Sequence, residues 1–166
     1  MSRIRRVEIN HFRCIKNFAW NPHAGVNCIV GPGDSGKSTI LDAIDACLGV
    51  RRNAHFSDTD FYRLSVETPI RIALTLGELD DSLRNLDSYG HYLQGFKEAT
   101  GELLPEPEAG AETVLTIQLT VTKDLDPVWS LFSDRGEAQN QPRNLSWAER
   151  NRLACSRLGA VGDHDL

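Results

Sequence analysis

Residues 31–38 read Gly31-Pro32-Gly33-Asp34-Ser35-Gly36-Lys37-Ser38, the pattern G-x-x-x-x-G-K-[ST], and no other stretch limits the fold so tightly. Glycines at these spacings let backbone N–H groups wrap a polyphosphate without interference from Cβ atoms. A helix starting there adds its positive end and its free N–H donors. Lys37 supplies a point charge for the β and γ phosphates, Ser38 a hydroxyl for Mg²⁺, and Thr39 a hydroxyl near the α phosphate. Four fixed positions coincide by chance in roughly 1% of chains of this length, so flanking context decides the reading. Before the loop, Val26-Asn27-Cys28-Ile29-Val30 is a short apolar run that predicts a buried strand ending at Gly31. After it, Ile40, Leu41, Ile44, Cys47 and Leu48 form one apolar stripe with Asp42 and Asp45 off it, and Gly49 stands at the cap position. Strand, glycine loop and helix are therefore expected in succession.

The chain has 166 residues, 40% hydrophobic and 25% charged, which suits one globular domain and excludes wholesale disorder or a fibrous repeat. No apolar run reaches the roughly 18 to 20 residues of a membrane span, and Met1-Ser2-Arg3-Ile4-Arg5-Arg6 lacks the apolar core of a signal peptide. A cytoplasmic location without a membrane partner is the expectation. Cys14, Cys28, Cys47 and Cys155 form no C-x-x-C pair and have no histidine at ligand spacing, so reduced thiols are expected rather than a zinc site or disulfides. The net charge of -5 conceals an asymmetry: residues 1–52 carry eight basic and four acidic side chains, the remainder ten and nineteen. A positive segment beside a phosphate loop suits nucleotide, nucleic acid or both, whereas the acidic remainder argues against a domain that coats DNA over its whole surface.

Elsewhere, alternation predicts strands over 4–9 and around 15–20, a turn at Asn21-Pro22-His23-Ala24-Gly25, and a clear strand at Ile70, Ile72, Leu74 and Leu76. Asp80-Asp81-Ser82 can cap a helix carrying Leu83 and Leu86, and a second short helix is expected near 92–99. Residues 101–112, acidic and rich in Pro, Gly and Ala, read as a mobile loop. Leu115, Ile117, Leu119 and Val121 mark another strand, turned by Asp124-Leu125-Asp126-Pro127 into a hairpin with 128–132. Ser146 and Glu149 form a capping box for a helix reaching about Arg157, closed by Gly159.

Some thirty residues and two strands precede the phosphate loop. Arg5-x-Val7-x-Ile9-x-x-Phe12-Arg13, followed by Gly25-x-Asn27-x-Ile29-x-Gly31, resembles the ABC-type ATPase heads of SMC and RecF proteins. Within that group the chain is most similar to the OLD family of ATP-dependent endonucleases, with further pointers in residues 56–63, in Thr75-Leu76-Gly77-Glu78-Leu79 and in residues 157–166. The resemblance implies an α/β to α+β P-loop NTPase lobe over 1–166, in which strands at 70–76 and 115–133 add an antiparallel layer. It implies ATP and Mg²⁺ bound through Gly31, Pro32, Gly33, Asp34, Ser35, Gly36, Lys37, Ser38 and Thr39, with Arg13 reaching the nucleotide and Ser38 holding the metal. It further implies a homodimer closing on two ATP molecules, DNA as a partner, and a Toprim-type nuclease domain. The second half of the head, with its signature motif, Walker B strand and switch histidine, is expected beyond residue 166, so catalytic residues are not expected within this stretch. Such heads often carry Asn where this chain has Gly33, and Gly or Asn where it has Asp34. Two other readings fit the residues: a nucleotide-binding scaffold without catalysis, and a small-molecule phosphotransferase, which would need its own acceptor site and base.

Several residues admit plainer roles. Arg3, Arg5 and Arg6 could contact a DNA backbone, but a short basic run is more often a solvated strand face. Asp58 and Asp60 fit turn caps better than acid/base groups, and Phe56, Phe61 and Tyr62 fit packing better than base stacking. Gln94 and Gln118 read as solvent-facing polar residues, and Asp163-His164-Asp165 as a chain end rather than a metal site.

Overall fold

The computed structural model describes residues 2–49, 54–84, 89–140 and 143–153. Eight strands join in one sheet: β1 (Arg3–Phe12), β2 (Ile15–Trp20), β3 (Ile70–Gly77), β4 (Gln94–Lys97), β5 (Glu102–Leu104), β6 (Glu112–Val121), β7 (Pro127–Phe132) and β8 (Arg143–Asn144). The order is β2-β1-β3-β6-β4-β5, and β7 pairs with β6 and carries β8 on its far side. Among the described residues every strand pairing is antiparallel, so the strands expected as an added layer are continuous with the N-terminal hairpin.

Period-2 alternation sets the register. Phe18, Ile9, Ile72, Leu119 and Trp129 stand in one row across the sheet, and Trp20, Val7, Leu74, Ile117 and Leu131 in the next. A slip of one residue would turn both rows to the opposite face. Onto these rows lies α1 (Lys37–Leu48), which buries Ile40, Ala43, Cys47 and Leu48 and leaves Leu41 exposed. Cys47 fixes the contact, its Sγ 3.4 Å from the carbonyl oxygen of Ile72 and 3.7 Å from that of Ile117. Burial pushes this thiol up to about 12, so it stays protonated and serves as packing. The opposite face carries a buried polar chain in which Thr75 Oγ1 and Thr116 Oγ1 lie 3.0 Å apart and Thr116 Oγ1 donates to Gln94 Oε1 at 3.0 Å.

Two short helices follow β7 and β8 among the described residues. α2 (Asp134–Ala138) starts at Ser133, whose hydroxyl accepts from the Gly136 N–H. α3 (Trp147–Leu153) opens with the expected box: Ser146 N and Oγ both donate to Glu149 Oε2 at 2.9 Å, and Glu149 N donates back to Ser146 Oγ at 3.3 Å. The expected extension to Arg157 and the Gly159 cap lie outside the described residues, as do Cys155 and Asp163-His164-Asp165.

Four expectations are corrected. Residues 26–30 are not a buried strand: no ladder partner lies beside them among the described residues, and Val26 and Val30 are 93% and 88% exposed. An apolar run becomes a central strand only where neighbours satisfy its backbone on both edges. The helix expected over 92–99 is instead β4, because Gly95 weakens a helix and β5 and β6 offer ladder bonds on both sides. Residues 102–104 form β5, reached through a turn at Gly101 (φ 68°) that returns its N–H to Lys97 O at 2.8 Å. After Asp80 only a 3₁₀ turn forms, over Asp81–Leu83, and Leu86 lies outside the described residues.

Candidate nucleotide-binding site

The glycine loop ends at the start of α1. Gly36 caps the helix in a left-handed conformation (φ 90°), no side chain caps it, and the first intrahelical bond runs from Ile40 N to Gly36 O at 3.0 Å. The first-turn N–H groups of a helix have no intrahelical acceptor, so this end is a ready anion site. Ser38 is exposed and Thr39 partly so on that first turn. Lys37 bends back over the loop, donating from Nζ to the carbonyl oxygens of Gly31 (2.8 Å) and Pro32 (2.6 Å) and to Ser35 Oγ (3.3 Å). Its ammonium is thereby held within the loop that the phosphates are expected to enter.

The glycines differ in what they protect. A Cβ at Gly31 would stand 2.7 Å from Ser35 Oγ, and one at Gly36 would meet Cys14 Sγ at 3.1 Å on top of the positive φ. At Gly33 a Cβ would meet nothing within 4 Å, so the Asn usual in similar heads would fit. Asp34 is exposed at φ 58°, a conformation Asp tolerates better than most residues. A phosphate and the Asp34 carboxylate can therefore both be solvated, which moderates their repulsion.

The turn between β1 and β2 forms one wall. Cys14 Sγ lies 3.7 Å from Thr39 Oγ1, which seats the turn against the first turn of α1. Arg13 precedes it at φ 50°. Its N–H donates to the Asp60 carbonyl at 2.7 Å, its Nε to Asp60 Oδ1 at 2.9 Å, and its Nη1 to Asp42 Oδ2. Burial alone would lower the Arg13 pKa, but the hydrogen bonds to Asp60 and Asp42 outweigh it and the net shift is upward. Asp60 closes a 3₁₀ turn over Asp58–Asp60 that Ser57 caps, as expected for these two acids, and Phe61 behind it is buried and bridges to Phe12. The structure thus gathers Arg13, Asp42 and Asp60 into one cluster, and through Cys14 it seats the turn that carries Arg13 against Thr39 and Gly36. Only Arg13 and Thr39 were legible as site residues; Asp42 could have been found from its position four residues after Ser38, whereas Asp60 carries no local signal.

Other sequence candidates lie apart from this site. Arg5 is not on a solvated face: it is 6% exposed and pairs with Glu112 (2.7 Å), Glu98 (3.2 Å) and Glu78 (3.6 Å), tying β1 to the β4–β6 end of the sheet. Arg3 and Arg6 pair with Glu78 and Glu8. Gln94 is buried in β4 rather than solvent-facing. Ser38 offers the hard hydroxyl oxygen that Mg²⁺ accepts, and its exposed place beside the loop fits that ion.

Comparison with known proteins agrees with this geometry. The family model described as "AAA domain" matches residues 6–124. The DNA replication and repair protein RecF of Chlorobium limicola is 36% identical over 45 residues, 27% of this chain and 12% of that protein. RecF of Prosthecochloris aestuarii is 32% identical over 66 residues, 40% and 18% of the two chains. The chain spans less than a fifth of the length of these relatives. Among solved structures, one from a study of ATP-driven dimerization and DNA-stimulated activation of SMC ATPases aligns with a TM-score of 0.56 at 18% identity, over 90% of this chain and 76% of that one. The Smc head domain of Pyrococcus furiosus, bound to the C-terminal domain of ScpA, aligns with a TM-score of 0.54 at 18% identity, over 92% and 32%. The solved structures establish the fold, that of an SMC ATPase head, and the match over residues 6–124 establishes the family: the chain belongs to the AAA domain family.

Proposed function

We propose that this chain is the nucleotide-binding lobe of an ATP-driven DNA-processing enzyme. The observation that carries the reading is the open start of α1, where Gly36 leaves the first-turn N–H groups uncapped and Lys37 lies within the loop. Gly31 to Ser38 and Thr39 would surround the phosphates of ATP, with Lys37 exchanging its carbonyl partners for phosphate oxygens and Arg13 adding a second cation from the adjacent turn. Ser38 would hold Mg²⁺, which when bound draws off phosphate charge and lowers the cost of crowding anions beside Asp34 and Asp42.

Completion of the head lies outside this stretch in this reading. Support comes from residues 26–30: Val26 and Val30 are exposed, and Ile29 lines a groove of about 530 Å³ together with Ile4, Val7, Trp20, Leu41 and Ile44. An apolar surface of that kind suits further strands of the same head. Hydrolysis would then require those elements and a second head, consistent with the ATP-driven dimerization named for the SMC relative. DNA as the partner rests on the RecF and SMC likenesses, and endonuclease activity of the OLD type on the sequence resemblance in residues 56–63 and 75–79. The test is titration of the full protein with Mg·ATP, followed by ATPase and DNA-cleavage assays. ATP binding with DNA-stimulated turnover supports the reading, and turnover without DNA cleavage removes the nuclease component.

A further inference from the structure

Arg13 is held by two carboxylates that are not equivalent. Asp60 is fixed: its side chain is only 15% exposed, Ser57 N donates to its Oδ2 at 3.0 Å and Ser57 Oγ at 3.3 Å, and its backbone carbonyl takes the Arg13 N–H. Asp42 is half exposed on α1, and among the described residues its hydrogen bond is to Arg13 Nη1. Asp42 also stands four residues after Ser38, one helical turn along from the proposed Mg²⁺ ligand. A polyphosphate at the start of α1 would therefore approach a carboxylate that already holds the nearest arginine.

We infer that Asp42 and Asp60 form an unequal clamp on Arg13, in which Asp60 orients the guanidinium toward the nucleotide and Asp42 competes with phosphate for it. This inference rests on the nucleotide-binding reading of the loop. On binding, Arg13 keeps its Nε bond to Asp60 and transfers Nη1 from Asp42 to a phosphate oxygen, and no covalent change is involved. Asp60 is a positioning residue, acting only through Arg13. The strained backbone around the clamp is in keeping with such a role, since Arg13 and the following Arg63 and Leu64 all have positive φ without being glycine.

The two arms predict opposite signs. Calorimetric titration of the full chain with Mg·ATP should show Asp42→Asn binding about threefold to tenfold tighter than wild type, since a competing charge is lost. Asp60→Asn should bind about tenfold weaker, and Asp60→Glu should recover part of that loss. In an Arg13→Ala background, Asp60→Asn should have no further effect. A purely structural role would weaken binding in both aspartate variants in proportion to their loss of melting temperature. Asp42→Asn binding no tighter than wild type, or an Asp60→Asn effect that persists without Arg13, would overturn the clamp. Lys37→Ala separates the two levels: binding abolished there with no split between the aspartate variants sinks the clamp alone, whereas wild-type chain that does not bind Mg·ATP sinks the site and the clamp together.

Discussion

The two ends of α1 are both marked by a left-handed glycine, Gly36 at the start and Gly49 at the finish, yet they are built for different ends. At the finish, Gly49 N bonds to the carbonyls of Ala46 and Asp45 at 3.2 Å, and Trp129 Nε1 donates to the Ala46 carbonyl at 3.1 Å. Arg150, 4% exposed, lies with its guanidinium 3.7 Å over the Trp129 ring. Gly49 and Trp129 thus take up the carbonyls at this end, and Arg150 ties α3 to the sheet through the Trp129 ring, where burial lowers its guanidinium pKa. At the start, by contrast, no side chain caps the helix and residues 31–35 are exposed. Satisfied termini belong to the scaffold, and the terminus left open is where an outside anion can be recruited.

This contrast can be broken in several ways, the largest effect at the closed end. Gly49→Val adds a β-branched side chain at φ 65°, directly against the Arg150 guanidinium, and should cost about 3 kcal/mol in urea unfolding. If it costs under 1 kcal/mol, Arg150 does not pack against Gly49 as described. At the open end, removing Mg²⁺ with a chelator should weaken ATP binding about tenfold in calorimetry while leaving the melting temperature of the free chain unchanged. A smaller effect separates α3 from the site. The Ser146 backbone N–H, with help from its hydroxyl and from Arg143, holds the Glu149 carboxyl below its ordinary value of 4.5. That stabilisation is present above the ordinary value and is lost as pH falls through the lower folded value. Glu149→Gln should therefore cost a few tenths of a kcal/mol at pH 7, with the difference from wild type vanishing in acid and nucleotide affinity unchanged throughout. The smallest effect is expected of Gly33→Asn, within about 0.5 kcal/mol in stability and without change in ATP affinity, because the position is sterically empty.

What the sequence reveals of this molecule follows from how local each cause is. Strands β1, β3 and β6 were legible because their alternation at Val7 and Ile9, at Ile70 to Leu76 and at Leu115 to Val121 reflects one buried face. The helix start at Lys37 and its end at Gly49 were legible because glycine spacing and capping act within a few residues. Residues 26–30 misled for the converse reason: their apolar character is intrinsic, but burial depends on neighbouring strands that composition does not reveal. β4 reads as helix in the sequence because its pairing with β5 and β6, which the local pattern does not carry, outweighs the weak local preference of a four-residue segment. In the site, Gly31 to Thr39 and Arg13 could be named from the motif and the resemblance. Asp60 could not, since 46 residues lie between it and the Arg13 it holds, and Arg5 looked solvated because its partners Glu78, Glu98 and Glu112 lie on three later segments.

The most direct test of the open end of α1 compares wild-type chain and Lys37→Ala in calorimetric titration with Mg·ATP, each shown to be folded by its melting curve. Saturable binding to wild type, weakened about a hundredfold or more in Lys37→Ala at an unchanged melting temperature, is the expected result. Equal affinity in the two chains, or no binding to folded wild type, would contradict the assignment of the Gly31 to Ser38 loop as a nucleotide site.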